Sequence, residues 1–321
     1  MRFVLLLLLA TSVIFGQVDA KVSITPRQFK APEPLRENPE GHLRVDASLV
    51  VIPTFATTER GASVMGLKQD NFRLFEDGVE QPVTYFASDD VPVSIGILFD
   101  SSGSMHNKLA KSIEAVAELL RTTNRDDEFF LIDFNEHPKL TVPFTSDAET
   151  VYRTAARTKV FGRTSLYDAV HMALQEMKHA KFDRKALVVI SDGGDNRSRY
   201  TFGEIKSDLL ESGVQLYTIG ILEPEERQPK LSPEEKKGPA VLAQLSEESG
   251  GRFFPVTDIN ELSSVSARLG VELRNQYLLG YSPAELVRDG KYHKVRVELL
   301  PPIGLVRPRV FYRKGYYSPT N

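Results

Sequence analysis

Between residues 91 and 275 the chain alternates short apolar runs with longer stretches in which apolar residues recur every three or four positions. Val93-Ser94-Ile95-Gly96-Ile97-Leu98-Phe99, Leu187-Val188-Val189-Ile190 and Val214 to Ile219 are apolar at nearly every position. A strand reads that way when both of its faces are covered. Phe129 to Phe134 reads as another strand, with Leu140 to Phe144 as its hairpin partner. Leu109, Ile113, Val116, Ala117 and Leu120 keep helical spacing, as do Leu166, Val170, Ala173, Leu174 and Met177. Ser146 with Glu149 and Thr201 with Glu204 match the capping-box spacing that opens a helix, and Gly213 closes the second of these. Pro239 to Glu248, Phe253 to Val256 and Asp258 to Asn275 add a helix, a strand and a helix. This repeated alternation predicts a largely parallel sheet with helices on both faces, a doubly wound α/β domain over 91–275.

The flanks follow a period of two. Val45, Ala47, Leu49 and Val51 fall on one face of a strand. Phe72, Leu74 and Phe75 lead into Asp77-Gly78, with Val79, Val83 and Tyr85 after it, which predicts a hairpin. Val295, Val297 and Leu299 alternate, as do Val306, Val310 and Tyr312. Neither flank has enough strands to bury its own faces. The expectation is therefore one small β-sandwich-like domain built from 43–90 plus 276–321, with the α/β domain inserted in it. The segment Glu223 to Lys237, charged and carrying three prolines, reads as a surface loop.

The N-terminus has a different pattern. Arg2 precedes an apolar run of 13 residues, Phe3 to Phe15, and Val18-Asp19-Ala20 offers small residues for cleavage. The run is too short to span a bilayer, and 1–20 reads as a secretory signal peptide. Residues 21–42, rich in Pro, Glu and Arg, read as a flexible leader. No later run is long and apolar enough for a transmembrane segment, so the mature chain is expected to be exported, periplasmic or extracellular. The 321 residues carry 40 Lys and Arg against 43 Asp and Glu, a formal net charge of -3, which gives no basic field for nucleic acid or an anionic membrane. The absence of cysteine excludes a disulfide scaffold, a thiolate zinc site, an iron–sulfur cluster and a cysteine nucleophile.

The chemistry gathers where the first buried strand ends. Asp100-Ser101-Ser102-Gly103-Ser104 places Asp100, Ser102 and Ser104 in a D-x-S-x-S pattern. In an open parallel sheet, ligands bind outside the carboxyl ends of the strands. Thr164, in Gly162-Arg163-Thr164-Ser165, and Asp192, in Ser191-Asp192-Gly193-Gly194, hold equivalent places. Carboxylates and hydroxyls are hard oxygen donors suited to Mg²⁺, with Mn²⁺ and Ca²⁺ as alternatives. The plain alternative is that Asp100 and Asp192 cap helices and the serines are turn residues.

Those residues carry a resemblance. The region of about 91–275 resembles a von Willebrand factor type A domain, and its loops match that family's metal-ion-dependent adhesion site at Asp100, Ser102, Ser104, Thr164 and Asp192. The flanking Gln276-Tyr277-Leu278-Leu279-Gly280-Tyr281, Asp289-Gly290-Lys291-Tyr292-His293 and Arg313-Lys314-Gly315-Tyr316-Tyr317 resemble the exported "VWFA-related Acidobacterial domain" group. The resemblance implies that Ser102, Ser104 and Thr164 hold the metal through hydroxyls, with Asp100 and Asp192 acting mostly through bound waters. One position would stay open for an Asp or Glu carboxylate of a protein partner. Arg163, Asp195 and Asn196 would form the rim, although Asp195 reads more readily as a cap of its own loop and Arg163 as readily as an exposed, solvated arginine.

Catalysis has little support. The chain lacks G-x-S-x-G, H-E-x-x-H, G-x-x-x-x-G-K-[ST] and G-x-G-x-x-G, and its six histidines are scattered. A binding module for adhesion or envelope-complex assembly is the expectation, not an enzyme. The alternative is an exported structural scaffold whose metal site no longer functions.

Overall fold

The computed structural model describes residues 49–88, 90–223, 231–283, 290–300 and 308–318. The expected signal peptide, the leader, and Val45, Ala47 and Val306 lie outside them.

The chain first lays down β1 (Val50–Thr57), β2 (Phe72–Glu76), β3 (Val79–Gln81) and β4 (Tyr85–Ala87). It then enters the α/β domain through β5 (Ser94–Asp100), α1 (Leu109–Thr122), β6 (Glu128–Phe134), β7 (Pro138–Thr145), α2 (Ala148–Ala155) and α3 (Leu166–Glu176). It continues with β8 (Lys185–Ser191), α4 (Phe202–Ser212), β9 (Gln215–Ile221), α5 (Pro233–Ser249), β10 (Phe253–Val256) and α6 (Leu262–Arg274). The last strands are β11 (Tyr277–Tyr281), β12 (Tyr292–Leu299), β13 (Arg309–Tyr312) and β14 (Gly315–Tyr317).

The central sheet has the order β10-β9-β8-β5-β6-β7, parallel except for β7, which runs back along β6. Every residue of β5 is buried because one apolar cluster packs on each face of the sheet. Covering both faces accounts for the unbroken apolar runs, and the fold class is the doubly wound, mostly parallel one expected from them.

Two helix starts differ from the sequence reading. At α2 the cap is Asp147, not Ser146: one Asp147 oxygen accepts the N–H groups of Glu149 and Thr150. A carboxylate there also answers the positive end of the helix. Helix α5 begins inside the segment read as a loop. The Ser232 hydroxyl accepts the Glu235 N–H at 3.2 Å, the Glu235 carboxylate accepts the Ser232 N–H at 2.7 Å, and Pro233 opens the first turn. Residues 233–237 are therefore helical, and 224–230 lie outside the described residues. At α4 the box of Thr201 and Glu204 forms as read, and Gly213 closes the helix at φ +66°.

The remaining strands form two antiparallel sheets, β13-β1-β11-β4 and β14-β12-β2-β3, around one apolar cluster that includes Ile52, Leu74, Leu279 and Val297. Each sheet combines strands from before and after the α/β domain. Asp77 and Gly78, at φ +48° and +88°, make the tight turn between β2 and β3. Tyr85 does not extend that hairpin. It lies in β4 and pairs with Gly280 of β11 in the other sheet. The phase of β1 also differs. Ile52, Thr54 and Ala56 face the sandwich core, while Leu49 is 45% exposed and Val51 and Pro53 line a cavity of about 620 Å³ shared with Val93, Arg184 and Leu278. Both faces of β1 meet apolar neighbours, so alternation could not say which one is core.

The chain leaves the sandwich near Val91 and returns to it at Gln276. Arg184, at the start of β8, grips both crossings. Its guanidinium donates to the Val91 carbonyl at 2.6 Å, to the Leu273 carbonyl and to Gln276 Oε1 at 3.3 Å. Gln276 in turn donates to Gln215 Oε1 at 2.9 Å and to the Tyr217 hydroxyl at 2.7 Å.

Candidate metal centre

The five oxygen-bearing residues named from sequence sit on loops at the carboxyl end of the central sheet. Asp100 is the last residue of β5, and Ser191 is the last of the adjacent β8. Parallel pairing of Phe99 with Ile190 brings these strand ends side by side. Asp100 is fully buried. One of its oxygens accepts the Ser102 N–H at 2.8 Å and the other accepts the Ser191 hydroxyl at 2.5 Å. Ser102 and Ser104 then bring their hydroxyls within 3.2 Å of each other.

Backbone hydrogen bonds interlock three loops here. The Phe161 N–H donates to the Ser101 carbonyl, and the Gly103 N–H to the Gly162 carbonyl, both at 3.0 Å. A Cβ on Gly103 would stand 3.1 Å from the Gly162 carbonyl oxygen, and Gly162 itself takes φ +74°. On the other side Asn196 clamps Thr164: its Oδ1 accepts the Thr164 N–H at 3.0 Å and its N–H donates to the Thr164 carbonyl at 3.1 Å. That clamp uses only the backbone of Thr164 and leaves its hydroxyl outside the bonding of the loop. Asn135 adds a cross-tie, donating to Ser101 Oγ at 3.1 Å while its carbonyl accepts the Ser165 hydroxyl at 2.7 Å.

Asp192 follows β8, and its loop is pressed against α5. Gly193 and Gly238 approach so closely that a Cβ on Gly238 would lie 2.6 Å from the Gly193 carbonyl carbon. The carboxylate of Asp192 meets Lys108, whose Nζ is 3.3 Å from Asp192 Oδ2 and 2.7 Å from Glu223 Oε1. A cleft of about 270 Å³ opens beside it, lined by Ser104, Asp192, Leu222, Glu223, Glu235 and Lys236 among others.

At this end of the sheet both Asp100 and Lys108 are shifted. Burial pushes the Asp100 carboxyl up to about 7, and the negative charge of Asp192 adds to the rise. Burial works against the charge of Lys108, but Asp192 and Glu223 outweigh it and hold the ammonium above its ordinary value. A second cation among Asp100, Asp192 and the hydroxyls would relieve the repulsion that remains. By this measure the residues present fit a divalent ion.

The rim differs from the sequence reading. Arg163 and Asn196 are exposed, the latter while clamping Thr164. Asp195 is turned inward: one oxygen accepts the Tyr167 N–H at the start of α3 and the Ser198 hydroxyl, and the other accepts the Ser198 N–H. It braces the loop and does not stand on the rim. Ser191, Lys108 and Phe161 were missed. Ser191 could have been found as the residue facing Asp100 across two parallel strand ends. Phe161 could have been found as a lone aromatic in a polar loop.

Residues 95–194, which include all five donors, match the sequence profile of the von Willebrand factor type A domain. The chain carries a von Willebrand factor type A domain. A curated relative, an uncharacterized protein of Borreliella burgdorferi, is 25% identical over 174 residues, covering 49% of this chain and 51% of its own. The chain thus matches about half the length of that relative. Among solved structures, a von Willebrand factor type A protein from Catenulispora acidiphila is similar over 85% of this chain and 74% of its own, at 11% identity and a TM-score of 0.49. An aerotolerance-related membrane protein from Bacteroides fragilis covers 56% of this chain and 98% of its own, at 20% identity and a TM-score of 0.45. The type A domain of a type V pilus tip protein from Porphyromonas gingivalis covers 57% and 95%, at 12% identity and a TM-score of 0.44. The assignment of the type A domain rests on the profile match. Among the described residues no helix is long and apolar enough to cross a membrane.

Proposed function

We propose that the type A domain is a binding module that grips an acidic group of a protein partner through a divalent metal ion, Mg²⁺ in the first instance. The carrying observation is the meeting of Asp100, Ser102, Ser104, Thr164 and Asp192 on interlocked loops, with one carboxylate buried and repelled by the other. Ser102, Ser104 and Thr164 would hold the ion through neutral hydroxyls, and Asp100 and Asp192 would orient its waters. A hard cation held largely by neutral donors keeps its affinity for an anionic oxygen, so an Asp or Glu of a partner completes its shell. That chemistry is recognition, and it calls for no nucleophile or general base. Export of the chain, read from residues 1–20, would put this module outside the cytoplasm, in adhesion or in assembly of an envelope complex.

One observation favours a second reading, a scaffold with a non-functional metal site. The Lys108 ammonium already lies against Asp192 and Glu223 and neutralises part of their charge. Calorimetry separates the two. Titration of Mg²⁺, Mn²⁺ and Ca²⁺ into the full chain should show saturable binding that Asp100→Ala abolishes. Equal heats in wild type and variant would leave the scaffold.

A further inference from the structure

Phe161 is a large aromatic residue that is 59% exposed beside the metal centre. Its loop cannot fold it away. The Phe161 N–H is fixed to the Ser101 carbonyl and the Gly162 carbonyl to the Gly103 N–H, so the ring is carried by the same backbone that carries Ser102. A Cβ on Gly162 would come within 2.6 Å of the Glu136 side chain, which closes the turn from the other side. An exposed aromatic on a pre-ordered backbone loses little entropy on contact, and such rings dominate interface energies.

Charge is divided around the centre. Arg163, two residues from Phe161, is exposed, and so are Arg197 and Arg199 on the loop that clamps Thr164, Arg199 while paired with Asp168 at 3.2 Å. Asp192, Glu223 and Glu235 line the cleft on the α5 side and outnumber the Lys236 and Lys108 beside them. A chain laid across the metal therefore meets an apolar and cationic side and an anionic side. Resting on the metal bridge proposed above, we infer that Phe161 and Arg163 form a second subsite of the same surface, selecting a partner segment whose metal-binding Asp or Glu adjoins a large apolar side chain. A basic neighbour in that place would face Arg163 and be rejected, which gives the site direction as well as affinity.

The test uses the full chain and short immobilised synthetic peptides of Gly and Ser with one central Asp, flanked by Phe, by Ala or by Lys. In Mg²⁺ the Phe peptide should be retained roughly tenfold better than the Ala peptide, as expected for one added aromatic contact. The Lys peptide should fall below the Ala peptide. Phe161→Ser should bring the Phe-to-Ala ratio close to one while leaving EDTA-sensitive retention of the Ala peptide intact, and Arg163→Ala should lift the Lys peptide. Mg²⁺-dependent retention that ignores the flanking residue, or a Phe preference that survives Phe161→Ser, overturns the subsite and spares the metal bridge. Retention that ignores EDTA or the replacement of Asp by Asn, or no retention of any peptide, overturns both.

Discussion

The two ends of the central sheet handle buried polar groups in opposite ways. At the amino end, where the sheet meets the sandwich, polar side chains largely answer one another. Arg184 donates to two carbonyls and an amide, Gln276 joins Gln215 to Tyr217, and Asp127 accepts the N–H groups of Val93 and Asn124, each at 2.8 Å. At the carboxyl end, Asp100 and Asp192 repel each other, and the Ser102 and Ser104 hydroxyls stand 3.2 Å apart beside Asp100. The first arrangement fixes one domain on another. On the function proposed above, the second would take up a metal ion from outside. A low-dielectric setting strengthens a satisfied network and penalises an unsatisfied one, so buried polar groups at either end carry large energetic consequences.

The largest expected effect breaks the amino end. Arg184→Ala leaves the Val91 and Leu273 carbonyls without their donor and should cost roughly 4 kcal/mol, read as a lower urea midpoint at unchanged slope. Unchanged stability would remove the claim that this guanidinium ties the two crossings together.

Glu272 tests a buried carboxyl at that end that is only partly answered. Burial pushes its carboxyl up to about 7 from an ordinary 4.5, with Arg252 opposing the rise from 3.0 Å. A raised carboxyl pKa favours the folded state fully below pH 4.5, and that contribution is lost as pH rises towards 7. The fall in stability over this interval should shrink by about 2 kcal/mol in Glu272→Gln, measured by urea unfolding across pH. The same pH profile in variant and wild type would refute the assignment.

At the carboxyl end the sign should reverse. Asp100→Asn removes a buried charge that Asp192 repels and keeps an acceptor for the Ser102 N–H. In EDTA near neutral pH the variant should be more stable than wild type by about 1 to 2 kcal/mol, and it should no longer gain stability with Mg²⁺. A variant destabilised in EDTA would place Asp100 with the structural networks. The smallest effect is a control outside the five site residues: Thr201→Ala, which removes the cap of α4, should cost about 1 kcal/mol and leave the Mg²⁺ response unchanged in urea unfolding.

The contrast also decides what sequence could reveal. Buried parallel strands are visible as apolar runs, so strand ends can be located, and Asp100, Thr164 and Asp192 can be placed at one edge of the sheet. The ties that bring them together, Phe161 to Ser101, Gly103 to Gly162 and Thr164 to Asn196, are made largely by backbone groups, which every residue type carries. Asp195 was ambiguous because a carboxylate after two glycines can turn either way, and the Tyr167 N–H at the start of α3 decides it. Lys108 reaches Asp192 only because α1 begins where β8 ends in space, 84 residues apart in sequence. The start of α5 was hidden in a run of charges, although Ser232-Pro233-Glu234-Glu235 held a complete helix opening.

The pairing of β1 with β11 has a mechanical consequence. Thr54 lies opposite Tyr277 and Val50 opposite Tyr281, so the strand that precedes the inserted domain and the strand that follows it are joined along their length. Val50 and Tyr281 stand opposite each other at the same end of this ladder, so tension entering at Val50 and leaving at Tyr281 would peel the two strands apart pair by pair, and the inserted domain hangs as a side loop outside the line of force. A ligand pulling on the carboxyl edge of the central sheet would load the neck held by Arg184, while a pull on the chain ends would leave the geometry of Asp100, Thr164 and Asp192 undisturbed.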